Sequence, residues 1–415
     1  MKNILILCTI LFLGILILAY YHITARGIYT NASNLTTPRA YHSSILTSDG
    51  NVFITGGVNT QSSSNYELNS SEIFDVENNS CKKLANSNLT HVYHKTFLMS
   101  DGNIVIADIN GIEIFNPKTN SYKLLTSKFL DRHPEFGNYD FALLPNDLLA
   151  IFGGRKFNKT TKKLEDINSF EIINLKNDTV VKKSSFNSNG ISLILVNEKL
   201  FLIGGKTIDK NNEILSSEIN VMDTKTFKIS KWGNLALPQI KPFVFVDKKS
   251  NNLVVLGGKI QNGSSIINET NYAKLKGANT LEIINLDTKE SKTKNIQPIL
   301  TTEKVIDNII LDCTQYSDNL YWLQLKSTNK NNSILLNIDT LTKEKLFYRF
   351  EPTIRYRSSN IKTKNGIFVS GGKLSYEEPT EYTIYSEIIP DATEAFQYSK
   401  NGFITNKNFI IKIKN

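Results

Sequence analysis

Apolar residues of this chain fall into short runs, and the same order of runs recurs along most of its length. An apolar strand ends in a glycine pair at Gly56-Gly57, Gly153-Gly154, Gly204-Gly205, Gly257-Gly258 and Gly371-Gly372. A second strand follows, often written Glu-Ile-apolar-Asp/Asn, as at Glu72, Glu113, Glu171, Glu282 and Glu387. Short runs of Ile, Val, Phe and Leu bounded by Asn, Asp, Gly and Ser are typical of β-strands. We therefore expect an all-β repeat architecture.

The spacing of the glycine pairs predicts seven units. The pairs of units three, four and five lie 51 and 53 residues apart, whereas 97 residues separate units one and three, and 114 separate units five and seven. In the first long interval, residues 93–106 parallel residues 41–54 without a glycine pair. In the second, three strands are expected at residues 308–314, 320–325 and 334–338. Units two and six should therefore be full units.

Recurring polar positions predict local structure. Asp49-Gly50 and Asp101-Gly102 are expected hairpin turns, since glycine tolerates the positive φ that such turns require. A glycine pair at a strand end suggests a bulge or the close approach of another backbone. The glutamates that open the second strands share one repeat position, which favours a stabilising role over acid–base catalysis.

Several of these segments resemble the kelch motif. Arg39-Ala40-Tyr41-His42-Ser43 matches its opening, and its close is matched by Phe115-Asn116-Pro117-Lys118-Thr119-Asn120-Ser121-Tyr122 and by Met222-Asp223-Thr224-Lys225-Thr226 with Trp232. The resemblance covers residues 35–415 and implies a seven-bladed β-propeller whose four-stranded blades surround a central channel. Kelch propellers include actin binders, ubiquitin-ligase adaptors, copper oxidases and sugar mutarotases, so the fold does not decide the function.

A propeller of this kind must join its two chain ends. Residues 403–405 and 409–413 are apolar enough to be the closing strands. They can complete blade seven or pair with the segment near residues 27–29, and the sequence leaves both arrangements open.

The N-terminal segment is the one long apolar stretch. Residues 4–21 are apolar apart from Thr9 and the tyrosines at the end, and Lys2 precedes them. This length lies between a signal-peptide core and a spanning helix, and the positive-inside rule places the rest of the chain on the exported side. Ile23 makes cleavage after Ala25 unfavourable. We expect residues 1–25 to be a signal-anchor or transmembrane helix that holds the propeller on the exported side of the cytoplasmic membrane; a cleaved signal is the alternative.

The composition of the chain limits the classes of partner that we expect. The net charge of +9 favours contact with anionic lipids or acidic polymers. The lysines are scattered, without a dense basic run or interleaved aromatic residues, so nucleic acid is not expected. Three cysteines do not make a disulfide framework, and Cys81 and Cys313, in different blades, are expected to be free thiols.

Basic residues beside the glycine pairs and strand entries suggest a ligand site. Equivalent loops of different blades converge on one end of a propeller channel, where an arginine can bind a carboxylate or phosphate through two hydrogen bonds. The residues expected to gather there and bind an anionic ligand are Arg39, Arg155, Lys206, Lys259, Arg355 and Lys373. The alternatives are a solvated basic face, or arginines that join neighbouring blades.

The histidines and the sequence motifs give little support to a metal site or a bound cofactor. His42 and His94 share a repeat position and are expected to be structural, whereas His91 and His94, three apart on a predicted strand, would point to opposite faces. No metal site and no cofactor are expected. The chain contains no Gly-x-Ser-x-Gly elbow, phosphate loop or dinucleotide fingerprint.

Two functions follow from these observations. The leading hypothesis, preferred over an enzyme, is a membrane-anchored, exported propeller that works as a binding or scaffold module for a protein or an anionic carbohydrate. The rival is a sugar mutarotase or epimerase that resembles kelch-type sialic acid mutarotases, in which the basic channel mouth holds the sugar carboxylate.

Overall fold

Seven sheets of four or five strands are arranged as the blades of a propeller, which confirms the all-β, seven-bladed prediction. A computed structural model describes residues 10–16, 27–59, 67–127, 129, 139–161, 163–209, 212–260, 266–267, 275–300, 309–326, 332–344, 346–347, 358–374, 403–404 and 407–413. Units two and six are full four-stranded blades despite their missing glycine pairs. The two predicted Asp-Gly turns have the expected positive φ, +82° at Gly50 and +85° at Gly102.

The strands are numbered in chain order, and the first is β1 (Gly27–Ala32). Blade one contains β2 (Ser43–Leu46), β3 (Val52–Thr55), β4 (Ser71–Asp75) and β5 (Ser80–Lys83). Blade two contains β6 (Lys95–Leu98), β7 (Ile104–Ala107), β8 (Ile112–Asn116) and β9 (Ser121–Leu124). Blade three contains β10 (Tyr139–Leu144), β11 (Leu148–Gly153), the inserted pair β12 (Arg155–Asn158) and β13 (Lys163–Asp166), then β14 (Ser169–Asn174) and β15 (Thr179–Ser185).

The remaining blades follow the same order. Blade four contains β16 (Ser192–Val196), β17 (Lys199–Ile203), the inserted β18 (Lys206–Asp209) and β19 (Asn212–Leu215), then β20 (Glu218–Asp223) and β21 (Ile229–Asn234). Blade five contains β22 (Phe243–Asp247), β23 (Asn252–Leu256), the inserted β24 (Lys259–Ile260), β25 (Ile266–Ile267) and β26 (Lys276–Gly277), then β27 (Thr280–Asn285) and β28 (Ser291–Asn295), with α1 (Gln297–Leu300) after it. Blade six contains β29 (Ile309–Gln315), β30 (Leu320–Lys326), β31 (Asn332–Asn337) and β32 (Thr342–Glu344), and β33 (Leu346–Phe347) follows. Blade seven contains β34 (Ser359–Thr363), β35 (Gly366–Ser370), the inserted β36 (Lys373–Leu374) and β37 (Phe403–Ile404), and β38 (Asn408–Ile413).

Burial along each blade explains the apolar pattern. The second strand, such as β3, is buried at every residue because both its faces pack against neighbouring blades. In β11 the alternate residues Leu149 and Ile151 pack towards blade two, whereas Ala150 and Phe152 pack towards blade four. Strands with both faces buried are continuously apolar rather than alternating in polarity. The innermost strands β2 and β22 are half-buried throughout, as expected beside a channel.

Seven hydrophobic clusters hold the ring together, one between each pair of neighbouring blades. Between blades seven and one, the rings of Phe74 and Phe368 stack with centroids 4.2 Å apart. Between blades one and two, Phe53 and Phe115 stack at 4.8 Å. Each blade therefore buries its faces only against its neighbours, as a repeat architecture requires.

The N-terminal strand closes the ring. β1 pairs antiparallel with β38 from Gly27↔Ile413 to Ala32↔Asn408, and β38 pairs in turn with β35. Both arrangements left open by the sequence thus hold together, because the last strand completes blade seven and also pairs with residues 27–32. The expectation for residues 403–405 was wrong, since residues 403–404 form β37 and pair with β36 in an inserted hairpin outside the blade's sheet. The propeller begins at Gly27, earlier than the residue 35 that the repeat pattern indicated.

Strand direction gives the propeller two unlike faces. The hairpin face carries the loops that enter the innermost strands and the inserted pairs β12–β13, β18–β19, β24–β26 and β36–β37. β25, inserted in blade five, pairs with β19 of blade four, so these blades share a three-stranded sheet. The turn face carries the short turns within blades, such as 47–51 and 76–79. The strand pairs inserted in the described blades therefore all lie on the hairpin face.

The glycine pairs fasten the entry loop of the following blade. Gly57 donates its N–H to the carbonyl oxygen of His91 at 2.7 Å. A Cβ on Gly56 would lie 2.4 Å from that same oxygen, and φ at Gly56 is +65°. Across the ring closure, Gly372 donates to the carbonyl of Arg39 at 2.7 Å in the same way. The predicted close approach of another backbone is confirmed, and its partner is the neighbouring blade.

The N-terminal segment is described only in part. Residues 10–16 are helical and carry exposed apolar side chains, and the rest of the predicted helix lies outside the described residues. Within the part of the chain that the structure describes, no helix is long and apolar enough to cross a membrane.

Candidate functional site

The loops that enter the innermost strands share one backbone conformation. In four blades the residue two positions before the innermost strand has a positive φ: Tyr41 (58°), Tyr93 (56°), Gly190 (64°) and Lys241 (50°). Tyr93 donates its N–H to the carbonyl of Tyr41 at 3.4 Å, and Lys241 donates to Gly190 at 2.9 Å. The entry loops of blades one and two, and those of blades four and five, are therefore linked by the same kind of bond. We call these four residues the rim.

Two tyrosines of the rim lie side by side. The rings of Tyr41 and Tyr93 meet edge to face with centroids 4.8 Å apart. Tyr41 is half-buried, and Tyr93 is 37% exposed. A ring that presents both an apolar surface and a hydroxyl is suited to contact with a ligand at a wet boundary.

A charged cluster lies beside the rim. Lys241, from the entry loop of blade five, donates its Nζ to the carbonyl of Tyr139 in blade three at 2.6 Å. Because this contact passes over blade four, the lysine side chain must extend across the mouth of the channel. Asp140, in β10, forms an ion pair with Lys95 at the start of β6. We call Lys95, Asp140 and Lys241 the mouth cluster.

The carboxylate of Asp140 is held firmly. Its Oδ1 accepts the N–H of Phe141 at 2.9 Å and the ammonium of Lys95, and its Oδ2 accepts the N–H of Leu193 in blade four at 3.3 Å. The Asp140 side chain is 9% exposed, whereas that of Lys95 is 48% exposed. The aspartate is therefore a fixed anchor, and the Lys95 ammonium is the part of the cluster that solvent reaches.

The electrostatics of the mouth cluster are unbalanced. Burial lowers the pKa of the Lys241 amine to about 8; Asp140 opposes this shift and Lys95 adds to it. Burial raises the pKa of the Asp140 carboxyl, but Lys95 and Lys241 outweigh it and leave the pKa below its ordinary value. The charge of one carboxylate thus acts on two ammonium groups, of which Lys95 is its ion-pair partner, and near neutral pH a fraction of Lys241 is uncharged.

Arg39, a predicted ligand residue, lies inside blade one. Its side chain is fully buried, and its Nη2 forms an ion pair with Glu72 at 2.7 Å. Its Nη1 donates to the carbonyls of Gly56 at 2.7 Å and Ser70 at 3.0 Å. Arg39 thus joins the entry loop of blade one to β4 and does not reach the channel. Charge reversal at this position should unfold the blade rather than weaken a ligand selectively.

Arg155 and Lys206 lie in one contact group, because both contact the carboxylate of Asp166. Lys206 is 2% exposed, and its Nζ contacts Asp166 at 2.7 Å and Glu213 at 2.8 Å. Arg155 Nε lies 3.0 Å from the other oxygen of Asp166. This balanced group of two cations and two anions joins the inserted hairpins of blades three and four. It matches the alternative in which basic residues link neighbouring blades.

The other three predicted site residues are placed less fully. Lys259 begins β24, is half-buried, and exchanges backbone hydrogen bonds with Ile240. Lys373 begins β36 on the hairpin face. Arg355 lies outside the described residues. Of the six, the structure brings Arg155 and Lys206 into one contact group.

Recurring glutamates hold the entry loops. Glu72 accepts the N–H groups of Thr36 at 2.5 Å and Thr37 at 3.0 Å, and Glu282 accepts that of Ala236 at 3.0 Å. In each case the glutamate of one blade binds the loop that arrives from the preceding blade. These contacts support the structural role that the repeat suggested. Glu387 lies outside the described residues.

His91 occupies in blade two the place that Arg39 has in blade one. Its Nδ1 and Nε2 bind Asp108 and Glu113, each at 2.8 Å. Burial of the imidazole opposes protonation, but hydrogen bonds to Asp108 and Glu113 raise its pKa to about 9. Both ring nitrogens are therefore committed to carboxylates and the ring is protonated at neutral pH. This position was not recognised from the sequence as equivalent to Arg39.

The two remaining described histidines, His42 and His94, are buried, and the two described cysteines form no disulfide. His42 binds Ser370 of blade seven at 2.9 Å, and burial keeps its pKa well below the ordinary value, as it does for His94. The expectation that His91 and His94 point to opposite faces of a strand was wrong, since β6 begins after both and their rings lie 5.5 Å apart. Cys81 and Cys313 are thiols that no disulfide joins. No group of three or more potential metal ligands was found among the described residues.

The mouth cluster was missed because its members are scattered in sequence. Lys95 follows His94 where blade one has Ser43, and Lys241 lies in a blade without the His-Ser opening. The available signal was Asp140, a charged residue within the otherwise apolar run of β10. A charge there needs a partner, since burial of an unpaired carboxylate is costly.

Comparison with known proteins adds no family. No protein-family model matches the chain, and no curated protein matches its sequence.

Proposed function

We propose that the chain is a kelch-type propeller that works as a membrane-tethered binding scaffold on the exported side of the cytoplasmic membrane. Its hairpin face would receive a protein or an anionic carbohydrate. One observation carries this proposal: the inserted strand pairs of blades three, four, five and seven all lie on the hairpin face, together with the rim. Binding residues are commonly placed on loops that a rigid framework positions.

The topology of ring closure supports the tether. β1 runs from the turn face to the hairpin face, so Gly27, where the N-terminal segment joins the propeller, lies at the turn face. A membrane anchor in residues 1–25 would therefore leave from the side opposite the inserted hairpins. The hairpin face would be directed away from the lipid and stay accessible to a large partner.

A binding screen with two matched variants tests the scaffold. The fragment from Gly27, which keeps all seven blades, is screened against glycans and metabolites. In one variant, an Asn-Gly turn replaces residues 156–165 of the β12–β13 hairpin; in the other, glycine replaces Lys118 and Thr119 in a turn of blade two. We expect a ligand whose affinity falls with the hairpin variant and not with the turn variant. The reverse pattern would contradict a binding role for the hairpin face.

An acidic-sugar mutarotase is the second candidate, and the mouth cluster favours it. Anomer exchange needs groups that donate and accept protons near neutral pH, and a lysine with a pKa of about 8 beside a buried carboxylate meets that need. The test is the rate of anomer interconversion of an acidic sugar, followed by NMR. Acceleration that Lys241→Met abolishes would support the enzyme, and an unaccelerated rate would leave the scaffold as the function.

A further inference from the structure

The charged groups buried near the hairpin face differ in their balance. Arg39 has one carboxylate partner, and the Arg155 and Lys206 group has two cations and two anions. His91 is held by two carboxylates. Of these described groups, the mouth cluster is the one with more cations than anions. It is also the one in which an ammonium, that of Lys95, is substantially exposed.

We propose that Lys95 and Lys241, anchored by Asp140 at the mouth of the channel, bind the carboxylate of a hydroxylated organic acid such as a sugar acid. The inference rests on the proposed binding function and names the site and the class of its ligand. Among the described residues Asp140 is the one carboxylate that acts on both ammonium groups, and an incoming carboxylate would supply a second anion. Charge-assisted hydrogen bonds of this kind are among the stronger ones in proteins.

The surroundings of the cluster fit a sugar acid better than a simple anion. Tyr41 and Tyr93 provide an aromatic surface on the rim, and Tyr93 stands two residues before Lys95. Hydroxyl groups occupy the start of the neighbouring innermost strands, where Ser43 Oγ and Thr96 Oγ1 share a hydrogen bond of 2.8 Å. Aromatic rings pack against the apolar faces of sugars, and hydroxyl groups exchange hydrogen bonds with theirs.

The position of Lys241 makes the site pH-dependent in one direction. Loss of its proton removes one of the two cations, so affinity for a carboxylate should fall as pH rises through about 8. The groups that face the Lys241 amine among the described residues are Asp140, Lys95 and the carbonyl of Tyr139. A bound carboxylate should in turn favour the charged form of the amine and raise its pKa.

The test uses the full chain in detergent micelles, with glucuronate as the probe and glucose as its uncharged control. Glucuronate should bind saturably and glucose should not. Lys95→Met and Lys241→Met should each weaken glucuronate binding by roughly tenfold or more, as expected for a lost charge-assisted hydrogen bond. Lys231→Met, which breaks an exposed ion pair with Glu218 on the outer strands of blade four, should leave it unchanged.

A second measurement needs no substitution in the cluster. Reductive ¹³C-methylation and NMR titration of the lysines should show the pKa of Lys241 rising when glucuronate binds. Absence of saturable binding, or binding that neither moves this pKa nor depends on Lys95 and Lys241, would overturn the inference. In either case, a different ligand that depends on the β12–β13 hairpin would leave the scaffold function standing.

Discussion

Arg39 and Lys241 are both basic, and both lie on loops that enter innermost strands from the hairpin face. Arg39 stands four residues before its strand, where the loop turns the side chain into the blade to meet Glu72. Lys241 stands two residues before its strand, at the positive-φ position from which the side chain crosses the channel. In equivalent entry loops of two blades, a shift of two positions thus separates Arg39, a structural cation, from Lys241, the cation that we propose binds a ligand.

Arg39 and Lys241 differ in their charged partners as well as in their position. The guanidinium of Arg39 has a carboxylate, a hydroxyl and two backbone carbonyls as partners. The amine of Lys241 donates to one backbone carbonyl, and the carboxylate that acts on its pKa, that of Asp140, is ion-paired with Lys95. Burial lowers the pKa of both basic groups. Substitutions at the two places should therefore change different properties, stability at Arg39 and ligand affinity at Lys241.

The largest effect is expected for Arg39→Met. The change leaves the Glu72 carboxylate buried without its cation, and breaking such a pair typically costs about 3–5 kcal/mol. Urea denaturation of the fragment from Gly27 measures the loss. The control is Lys231→Met, where both partners are exposed and the change should stay within about 0.5 kcal/mol. A folded Arg39→Met protein of unchanged stability would contradict the structural role.

His91→Gln should destabilise the protein less, by about 2 kcal/mol at pH 6, because glutamine keeps one donor for the two carboxylates. The pKa of His91 is raised from 6.5 to about 9 in the fold. Its stabilising contribution is therefore complete below pH 6.5 and is lost as pH rises to about 9. The difference between variant and wild type should shrink over that window. A difference independent of pH would show that His91 is not protonated in the blade.

Gly56→Ala tests the fastening of one blade to the next. The new Cβ would lie 2.4 Å from the carbonyl of His91, at a φ of +65° that side chains disfavour, and roughly 1–2 kcal/mol should be lost. Gly233→Ala is the matched control, since nothing lies within 4 Å of its Cβ position. Equal melting temperatures of the two variants would show that the entry loop of blade two can move away from the new Cβ at no cost in stability.

Much of the fold could be predicted because the repeat encodes it locally. Glycine pairs mark the ends of second strands in five blades, and at Gly56, Gly204 and Gly371 the backbone of the next blade lies where a Cβ would be. Blade two keeps its order without a pair: at the equivalent place it has Asp108, whose side chain accepts the N–H groups of Asn110 and Gly111. The parallel between residues 93–106 and 41–54 identified this blade, and its β7 is buried at every residue as β3 is.

The candidate site could not be predicted in the same way. Propeller geometry says that entry loops converge on the channel, but the direction of each side chain depends on φ within the loop. The residue types do not indicate that Tyr41 has a positive φ, whereas Arg39, two positions earlier, does not. The arrangement of ring closure was left open for a similar reason, because pairing between β1 and β38 joins residues about as distant as the chain allows.

The smallest effect is expected for Lys241→Met, and it is visible only as a pH dependence. In the fold the pKa of Lys241 is lowered from 10.5 to about 8. Between pH 8 and 9 the unfolded chain therefore binds more protons at this residue, so wild-type stability should rise relative to the variant by on the order of 1 kcal/mol. Below about pH 6.5 both states are protonated and the difference should be constant. Comparing urea denaturation of wild type and variant from pH 6 to 9 cancels the titration of the other ionisable groups. Parallel curves would mean that the mouth cluster is as balanced as the ion pair of Arg39, and the comparison between the two residues would then rest on geometry alone.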